Sequence, residues 1–389
     1  MNIVLFDSPG IRQSLLPLTF TRPISLIRIG ILTIAEKWQK YLNSDVSFLT
    51  EEYLQKKYPF QSGPKNLYIN GAVCPTPELI AAIASLKEGV TLMQGEVEIA
   101  YIGRISDKVR QFEGDITIVQ YPWDIFTFNS IEIQRDFDLM TRGRKSAEIQ
   151  DPHTVVYCKE NVFVEEGAKI RASVLNAEGG PIYIGKNSEI SEGSMIRGPF
   201  ALCNNAIVNM GSKINKDTTI GPYCKVGGEV ANAVLFAYSN KGHDGFVGNT
   251  VIGEWCNLGA GTSTSNLKNN YSMVQVYNYK HRSFVNSGRQ FVGLVMGDHS
   301  KSSINTMFNT GTVVGVSANV FDAGFPNKFI PSFSWGSPEG FTTYKLDKAY
   351  ESAERMMERR HLRLEEEDKE ILKEVFEREI KNQGLSFIK

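Results

Sequence analysis

The sequence predicts an α/β domain over about residues 1–140 and a left-handed parallel β-helix of hexapeptide repeats over 153–335, joined by a linker at 141–152. A charged helical tail, 336–389, follows. Three observations carry this reading. An aliphatic residue recurs at every sixth position in the second half, apolar runs alternate with helical candidates in the first, and the tail is dense in Glu, Lys and Arg. At 389 residues the chain also exceeds what one hydrophobic core normally supports.

In the first 140 residues, strand-like runs stand at Ile3–Phe6, Val46–Leu49, Leu67–Ile69 and Thr117–Val119. They alternate with helical candidates at Gly30–Leu42 and Pro77–Leu86, the pattern of an α/β layer with a mostly parallel sheet. Ile131–Met140 reads as a helix leading out of this domain. In Tyr121-Pro122-Trp123-Asp124, Asp124 reads as a helix N-cap.

Every sixth residue from Ile184 is aliphatic: Ile184, Ile190, Ile196, Leu202, Val208, Ile214, Ile220 and Val226. With about one residue in four aliphatic, eight successive hits have odds on the order of one in 10⁵ per starting point. Small residues fall four positions after many of these (Ser188, Ser194, Ala206, Ser212, Thr218, Cys224), and Gly185, Gly221 and Gly227 directly follow one. A period of six suits neither a helix nor a hairpin meander; it suits short flat strands joined by tight corners, stacked with the aliphatic residues inside. The register resumes at Ile252 and Leu258, and again at Ile304, Thr310 and Val316. The stretches Val230–Phe246 and Asn266–Arg289 interrupt it and read as insertions that loop out on a binding face. From Leu346 to Ile380 the apolar positions predict a charged helix or helix pair covering the end of the solenoid.

Lys and Arg number 42 against 43 for Asp and Glu, interspersed along the chain, which argues against a nucleic-acid partner. No apolar run reaches membrane-spanning length and the N-terminus lacks signal-peptide features, so the expectation is a cytoplasmic protein with no membrane partner. Cys74, Cys158, Cys203, Cys224 and Cys256 stand singly, as reduced buried thiols do.

The densest cluster of polar and glycine residues is Asn240-Lys241-Gly242-His243-Asp244-Gly245-Phe246-Val247-Gly248, followed by Ile252-Gly253-Glu254-Trp255-Cys256-Asn257-Leu258-Gly259-Ala260-Gly261-Thr262. This resembles the acetyltransferase domain of the bifunctional N-acetylglucosamine-1-phosphate uridyltransferase/glucosamine-1-phosphate acetyltransferase family, in its Bacteroidetes-type variant. Gly297-Asp298-His299-Ser300-Lys301, Ile304-Asn305-Thr306 and Asn309-Thr310-Gly311-Thr312 look like that subgroup's distal coils. The resemblance implies that His243 is the general base for acetyl transfer from acetyl-CoA to the amine of glucosamine 1-phosphate. Imidazole suits that role, because its unperturbed pKa of about 6.5 lets it accept a proton near neutrality. It further implies that Glu229 orients His243 or the sugar, that Asn257, Phe246, Asn232 and Lys213 contact substrate, that Ala260 and Asn266 line the acetyl-CoA groove, and that the chain forms a homotrimer. The family's phosphate-binding lysine is Ala231 here, its tyrosine is Phe246, and a lysine after the Asn-rich loop is Ser272. Lys213, Lys225, Arg197 and Lys241 are the candidates for replacement charge, and His299 is expected to pack or to touch the cofactor groove.

Leu15-Leu16-Pro17-Leu18-Thr19-Phe20-Thr21-Arg22-Pro23 looks like the P-L-T-x-T-R-P segment of sugar-nucleotide pyrophosphorylases. By that resemblance Arg12, Thr19, Arg22 and Gly71 bind a nucleotide, UTP or dTTP, with Mg²⁺ if this domain is active. The loop Asp7-Ser8-Pro9-Gly10-Ile11-Arg12 carries a single glycine, Ile24 replaces a lysine, and Asn70-Gly71-Ala72 lacks the metal-binding aspartate, leaving Asp7, Asp115 or Asp124 as substitutes and the metal ligands unassigned. The leading expectation is N-acetylation of an amino-sugar 1-phosphate followed by nucleotidyl transfer to give UDP-N-acetylglucosamine. The alternatives are a monofunctional sugar acyltransferase with a degenerate nucleotide-binding domain, and a trimeric scaffold without catalysis.

Overall fold

In a computed structural model that describes residues 1–321, 324–337 and 339–383, the second half closes into a triangular prism of parallel strands, a left-handed β-helix. The predicted six-residue row is entirely interior: Ile184, Ile190, Ile196, Leu202, Val208, Ile214, Ile220 and Val226 are all buried. Successive coils pair in register, Ile184 with Leu202 and Leu202 with Ile220 on one face, Ile190 with Val208 and Val208 with Val226 on another. The small residues four positions on sit buried at the corners. Residues 384–389, the end of the predicted tail, lie outside the described residues.

The stretch Val230–Phe246 is no outward loop. One strand, Glu229–Leu235, runs unbroken through a corner, so the coils Val230 to Val247 and Leu235 to Ile252 are each one residue shorter than Ile184 to Leu202. The interior row continues through Leu258, Ser302, Phe308, Val314 and Val320. Ile304 is 68% exposed, because it stands two positions past the interior residue, at a turn. Thr310 and Val316 hold the same offset and are buried outside the prism, Val316 beneath the tail helices.

The α/β domain is a six-stranded sheet, β1 (Asn2–Phe6), β2 (Val46–Leu49), β3 (Asn66–Asn70), β4 (Thr91–Gln94), β5 (Val97–Ile102) and β6 (Val109–Gln111), ordered β2-β1-β3-β5-β4-β6. It is mixed rather than mostly parallel, since β5 runs antiparallel to β3 and β4. Thr117–Val119 is not a ladder strand and keeps only a bridge between Val73 and Ile118. Its helices are α1 (Pro9–Ser14), α2 (Ile34–Leu42), α3 (Pro77–Ala84) and α4 (Pro122–Thr141). α2 starts at Ile34, not Gly30, because Thr33 and Glu36 form a capping box and Gly30 holds a φ of 75° that a helix excludes. Asp124 is the third residue of α4 and accepts the backbone N–H of Gln120 and Tyr121, reaching back across the cap instead of occupying it.

This domain lies along one face of the prism. The outward residue just before each interior one on that face (Phe163, Tyr183, Ala201, Thr219, Val234, Val251, Val295, Val313) is buried, and the last four share a hydrophobic core with β1, β3 and α2. Asn129 of α4 is the polar junction: it accepts Gly30 N–H at 2.8 Å and donates to Asp217 O at 2.9 Å and Thr219 Oγ1 at 3.0 Å. Beneath it Lys37 lies buried between Glu132 (2.8 Å) and Asp136 (2.5 Å), and Asp136 also accepts the backbone N–H of Ile31 and Leu32. A buried ammonium is tolerable only with this density of partners.

The insertion Asn266–Arg289 folds inward as well. Its hairpin, Gln275–Asn278 with Ser283–Asn286, puts Val274 and Val276 into the shared core and stacks Tyr277 on Phe329 at 3.6 Å. The tail is a helix pair, α5 (Leu346–Glu358) and α6 (Glu366–Gln383), and it lies along a prism edge instead of covering the end. On that edge Tyr223, Tyr238, Trp255 and His299 occupy equivalent corner positions with φ of 55–62°, stacked ring on ring at 5.0, 4.2 and 6.4 Å. α5 and α6 pack Ala349, Ala353, Met357, Leu372 and Val375 against this edge. Four of the five cysteines are buried thiols; Cys158 is half-buried, at a corner with φ 55°. Among the described residues no helix is long and apolar enough to cross a membrane.

The ladder makes His299 an acid-sensitive element. Burial, with Lys301 nearby, lowers its pKa to about 3, and its Nδ1 has no partner among the described residues. The folded chain therefore keeps the ring neutral where the unfolded chain has already taken up a proton, so stability falls as pH drops below about 6.5. Urea unfolding at pH 7.5 and 4.5 is expected to show that the parent loses about 2 kcal/mol more than His299→Phe over this interval.

Candidate functional site

His243 follows the strand Asn240–Lys241 and stands at the corner between the prism face that carries that strand and the one that begins at Phe246. Its side chain is exposed and borders a cavity of about 790 Å³ between the prism and α5. Asn257 and Ala260, on the next coil, line the same cavity. So do five cations, Lys225 and Lys301 from the prism, Arg355 from α5, and Arg359 and Arg360 from the turn that ends it, while no carboxylate borders it among the described residues. Burial lowers the pKa of Lys301. Arg360 donates to Tyr223 O at 3.2 Å, tying the turn after α5 to the ladder. Of these five cations the sequence assigned a charge role to Lys225 alone. Lys301 was legible as a lysine just before an interior position, whereas the arginines look like ordinary solvated charge until the tail is seen to fold back.

The other expected substrate residues lie elsewhere on this chain. Lys213, Glu229 and Phe246 are consecutive rungs of the adjacent face, paired Lys213 with Glu229 and Glu229 with Phe246. Among the described residues the Glu229 carboxylate makes no hydrogen bond to His243. Asn232 and Asn266 sit at the far edge of that face. Asn266 donates to Asn249 Oδ1 at 2.8 Å, and Asn232 Oδ1 is buried without a partner among the described residues, beside a hollow of about 420 Å³. Thus one chain gathers His243, Asn257 and Ala260, and leaves Lys213, Glu229, Phe246, Asn232 and Asn266 outside that cavity. Lys241 is not a surface charge: it points into the prism.

In the α/β domain, all four residues expected to bind nucleotide are committed to the protein itself. Arg12 pairs with Asp7 at 2.7 Å and donates to the carbonyls of Thr19 and Arg22. The Thr19 hydroxyl donates to Arg12 O at 2.9 Å. Arg22 crosses to the prism, where it pairs with Glu254 at 2.7 Å and with Asp298. Gly71 is covered by Ser25, whose Cβ and N lie 3.2 Å from where a Gly71 Cβ would stand. The carboxylates do not fit a metal site: Asp7 is enclosed by Arg12, Thr50 and the Ile24 N–H, Asp124 caps α4, and Asp115 stands apart and exposed. Among the described residues no group of three His, Cys, Asp or Glu side chains is placed to hold a metal ion.

A left-handed β-helix with an α/β domain docked on one face, and a basic cavity beside a corner histidine, defines the architectural class. Residues 3–145 match a family model described as sugar nucleotidyl transferase. A bifunctional sugar-1-phosphate nucleotidylyltransferase/acetyltransferase of Sulfurisphaera tokodaii is 29% identical over 223 residues, covering 57% of this chain and 48% of that protein. The bifunctional protein GlmU of Methanocaldococcus jannaschii is 37% identical over 87 residues, 22% of this chain and 21% of that one. The chain thus spans about half the length of the first relative and about a fifth of the second. A UDP-N-acetylglucosamine acyltransferase structure from Arabidopsis aligns over 55% of this chain and 80% of its own at 14% identity and a TM-score of 0.24, too loose a fit to bear on function.

Arg22 provides the test of this structural assignment. Arg22→Leu strands Asp298, a buried carboxylate, and is expected to lower stability by about 3 kcal/mol in urea unfolding. Calorimetric titration with UTP and Mg²⁺ is expected to give the same result for the parent and the variant.

Proposed function

We propose that the protein transfers the acetyl group of acetyl-CoA to the amine of an amino-sugar 1-phosphate, with glucosamine 1-phosphate as the first acceptor to test. The observation that carries this reading is His243 at the edge of a cavity lined by five cations and no described carboxylate. Such a cavity suits a ligand with several phosphates, as coenzyme A has. In the reaction the neutral 2-amino group attacks the thioester carbonyl carbon and His243 accepts the proton it sheds. The C–S bond then breaks, and the thiolate leaves as coenzyme A thiol with a proton returned from the imidazolium. Asn257 and Ala260 border the reacting groups on the coil above.

A homotrimer accounts for the remaining residues. The face carrying Lys213, Glu229 and Phe246 is covered neither by the α/β domain nor by the tail, and it exposes Val155, Tyr157 and Met195. Packing a second copy there brings that copy's face toward the His243 corner, so that Glu229 and Phe246 serve a neighbour's cavity, with Asn232, Lys213 and Asn266 at its margin. A cytoplasmic setting suits the free thiols and the soluble substrates.

The relatives named above are bifunctional, and nucleotidyl transfer to the acetylated product, giving a UDP-sugar, is the reading they support. The internal bonding of Arg12, Thr19 and Arg22 and the cover over Gly71 favour the second reading, in which the α/β domain supports the prism and turns over no nucleotide.

With saturating acetyl-CoA and glucosamine 1-phosphate, His243→Ala is expected to lower the rate of thiol release by about 10² to 10⁴ while the melting temperature holds, since an exposed corner side chain adds little to packing. Parental acetylation by this variant would remove the base assignment. Pyrophosphate release from UTP or dTTP with N-acetylglucosamine 1-phosphate and Mg²⁺ separates the two readings of the α/β domain. Brisk turnover establishes the bifunctional one.

A further inference from the structure

Four corners on one edge of the prism are held from within by hydroxyls; the corner after Val226 is two residues shorter, reaches the interior at Val230, and has none. Where the chain leaves the face carrying Ile190, Val208, Leu258 and Ser302, the residue four positions after each of these is Ser194, Ser212, Thr262 and Thr306. All four are buried, and each hydroxyl donates to a corner carbonyl: Ser194 and Ser212 to Asn209 O, Thr262 and Thr306 to Ser303 O. At the corner that carries His243 the corresponding residue is Gly245, which has no hydroxyl. No larger residue fits, because a Cβ on Gly245 would stand 2.1 Å from Thr262 O, and φ there is 115°.

The interior position of the same coil is Lys241, in register with Val226 on the coil below and 1% exposed. An ammonium in a row of aliphatic side chains is expensive unless its protons are taken up. Its Nζ donates to Gly227 O at 3.2 Å, to Asp244 O at 3.1 Å and to His243 O. These are carbonyls of the His243 turn and of the corner beneath it. Burial lowers the lysine's pKa to about 8, against the opposing pull of the Asp244 carboxylate. Among the described residues the His243 ring has no hydrogen-bond partner, so its place is set by the backbone that carries it.

We propose that Lys241 is a positioning residue for His243: from inside the prism its ammonium replaces the missing corner hydroxyl and fixes the turn that presents the imidazole to the cavity. This rests on the assignment of His243 as general base.

The test uses the full chain with Lys241→Met, an apolar residue of similar length that suits the interior row. Hydrogen exchange of the amides at 242–246 is expected to accelerate about tenfold or more, while the corners at 191–194 and 209–212 keep parental rates and the melting temperature is unchanged. In acetyl transfer to glucosamine 1-phosphate, kcat is expected to fall about ten- to a hundredfold with little change in KM, the pattern of a misplaced base with substrate binding intact. Lys241→Gln, which keeps two donors, is expected to recover part of both effects and stands in if the methionine variant yields no folded protein. Parental exchange at 242–246 in a folded variant overturns the proposal, and so does accelerated exchange with parental kcat. If His243→Ala proves to acetylate at the parental rate, the base assignment falls and the catalytic part of the proposal with it. The exchange experiment then reports separately whether Lys241 holds the turn.

Discussion

Each coil of the prism must bring the chain back to the register it left, and nearly everything else in the molecule follows from that return. A residue's offset within the coil decides whether it lies inside, at a corner or on an outer face, so equivalent residues of successive coils stack into rows. The interior row is aliphatic, the corner row of one edge is an aromatic ladder, and the outer row of one face is the apolar stripe that receives the α/β domain. Even the shortened coils obey it: the residue lost at Glu229–Leu235 is matched by one lost at Phe246–Ile252, and the pairing Val230 to Val247 survives.

Charge is admitted to this packed structure where backbone groups have nowhere else to turn. Lys37, Arg22, Arg12 and Lys241 are all buried, and each bonds two or more carboxylates or carbonyls, from distant segments for Lys37 and Arg22 and from nearby turns for Arg12 and Lys241. Removing one such partner leaves the others stranded, which is why these contacts fix geometry more than they add stability. The same logic separates the two halves of the molecule. In the α/β domain the residues that look like nucleotide ligands spend their polar groups on the fold, whereas at the His243 cavity five cations line an open space with no carboxylate among the described residues that border it.

The prism was legible because its six-residue period is carried by side-chain type alone, and Ile184 to Val226 display it without a gap. Ile252 and Leu258 resume it inside the prism, but from Ile304 onward the reading failed by a small offset. Ile304 is aliphatic and in apparent register, but the true interior residue nearby is Ser302, a polar side chain that a search for aliphatics passes over. The docking stripe follows a longer period, eighteen residues between Tyr183, Ala201 and Thr219, with Glu189, Ile207 and Lys225 on a neighbouring face. That contrast is present in the sequence and invisible to a six-residue count. His243 and Asn257 were found through a motif, while Arg355, Arg359 and Arg360 depend on where a helix folds back, which composition does not encode.

The shared core also orders events in time. The apolar face of the α/β domain is completed by Val234, Val251, Val295 and Val313, which are synthesised long after residue 140. At about 5–20 residues per second, the interval from that residue to Val313 is on the order of ten seconds or more. During it, β1, β3 and α2 wait with one flank open to water and to other chains. The α/β domain leaves the ribosome before the prism yet is among the last parts of the molecule to be finished, and its exposure lasts as long as the prism takes to wind up behind it.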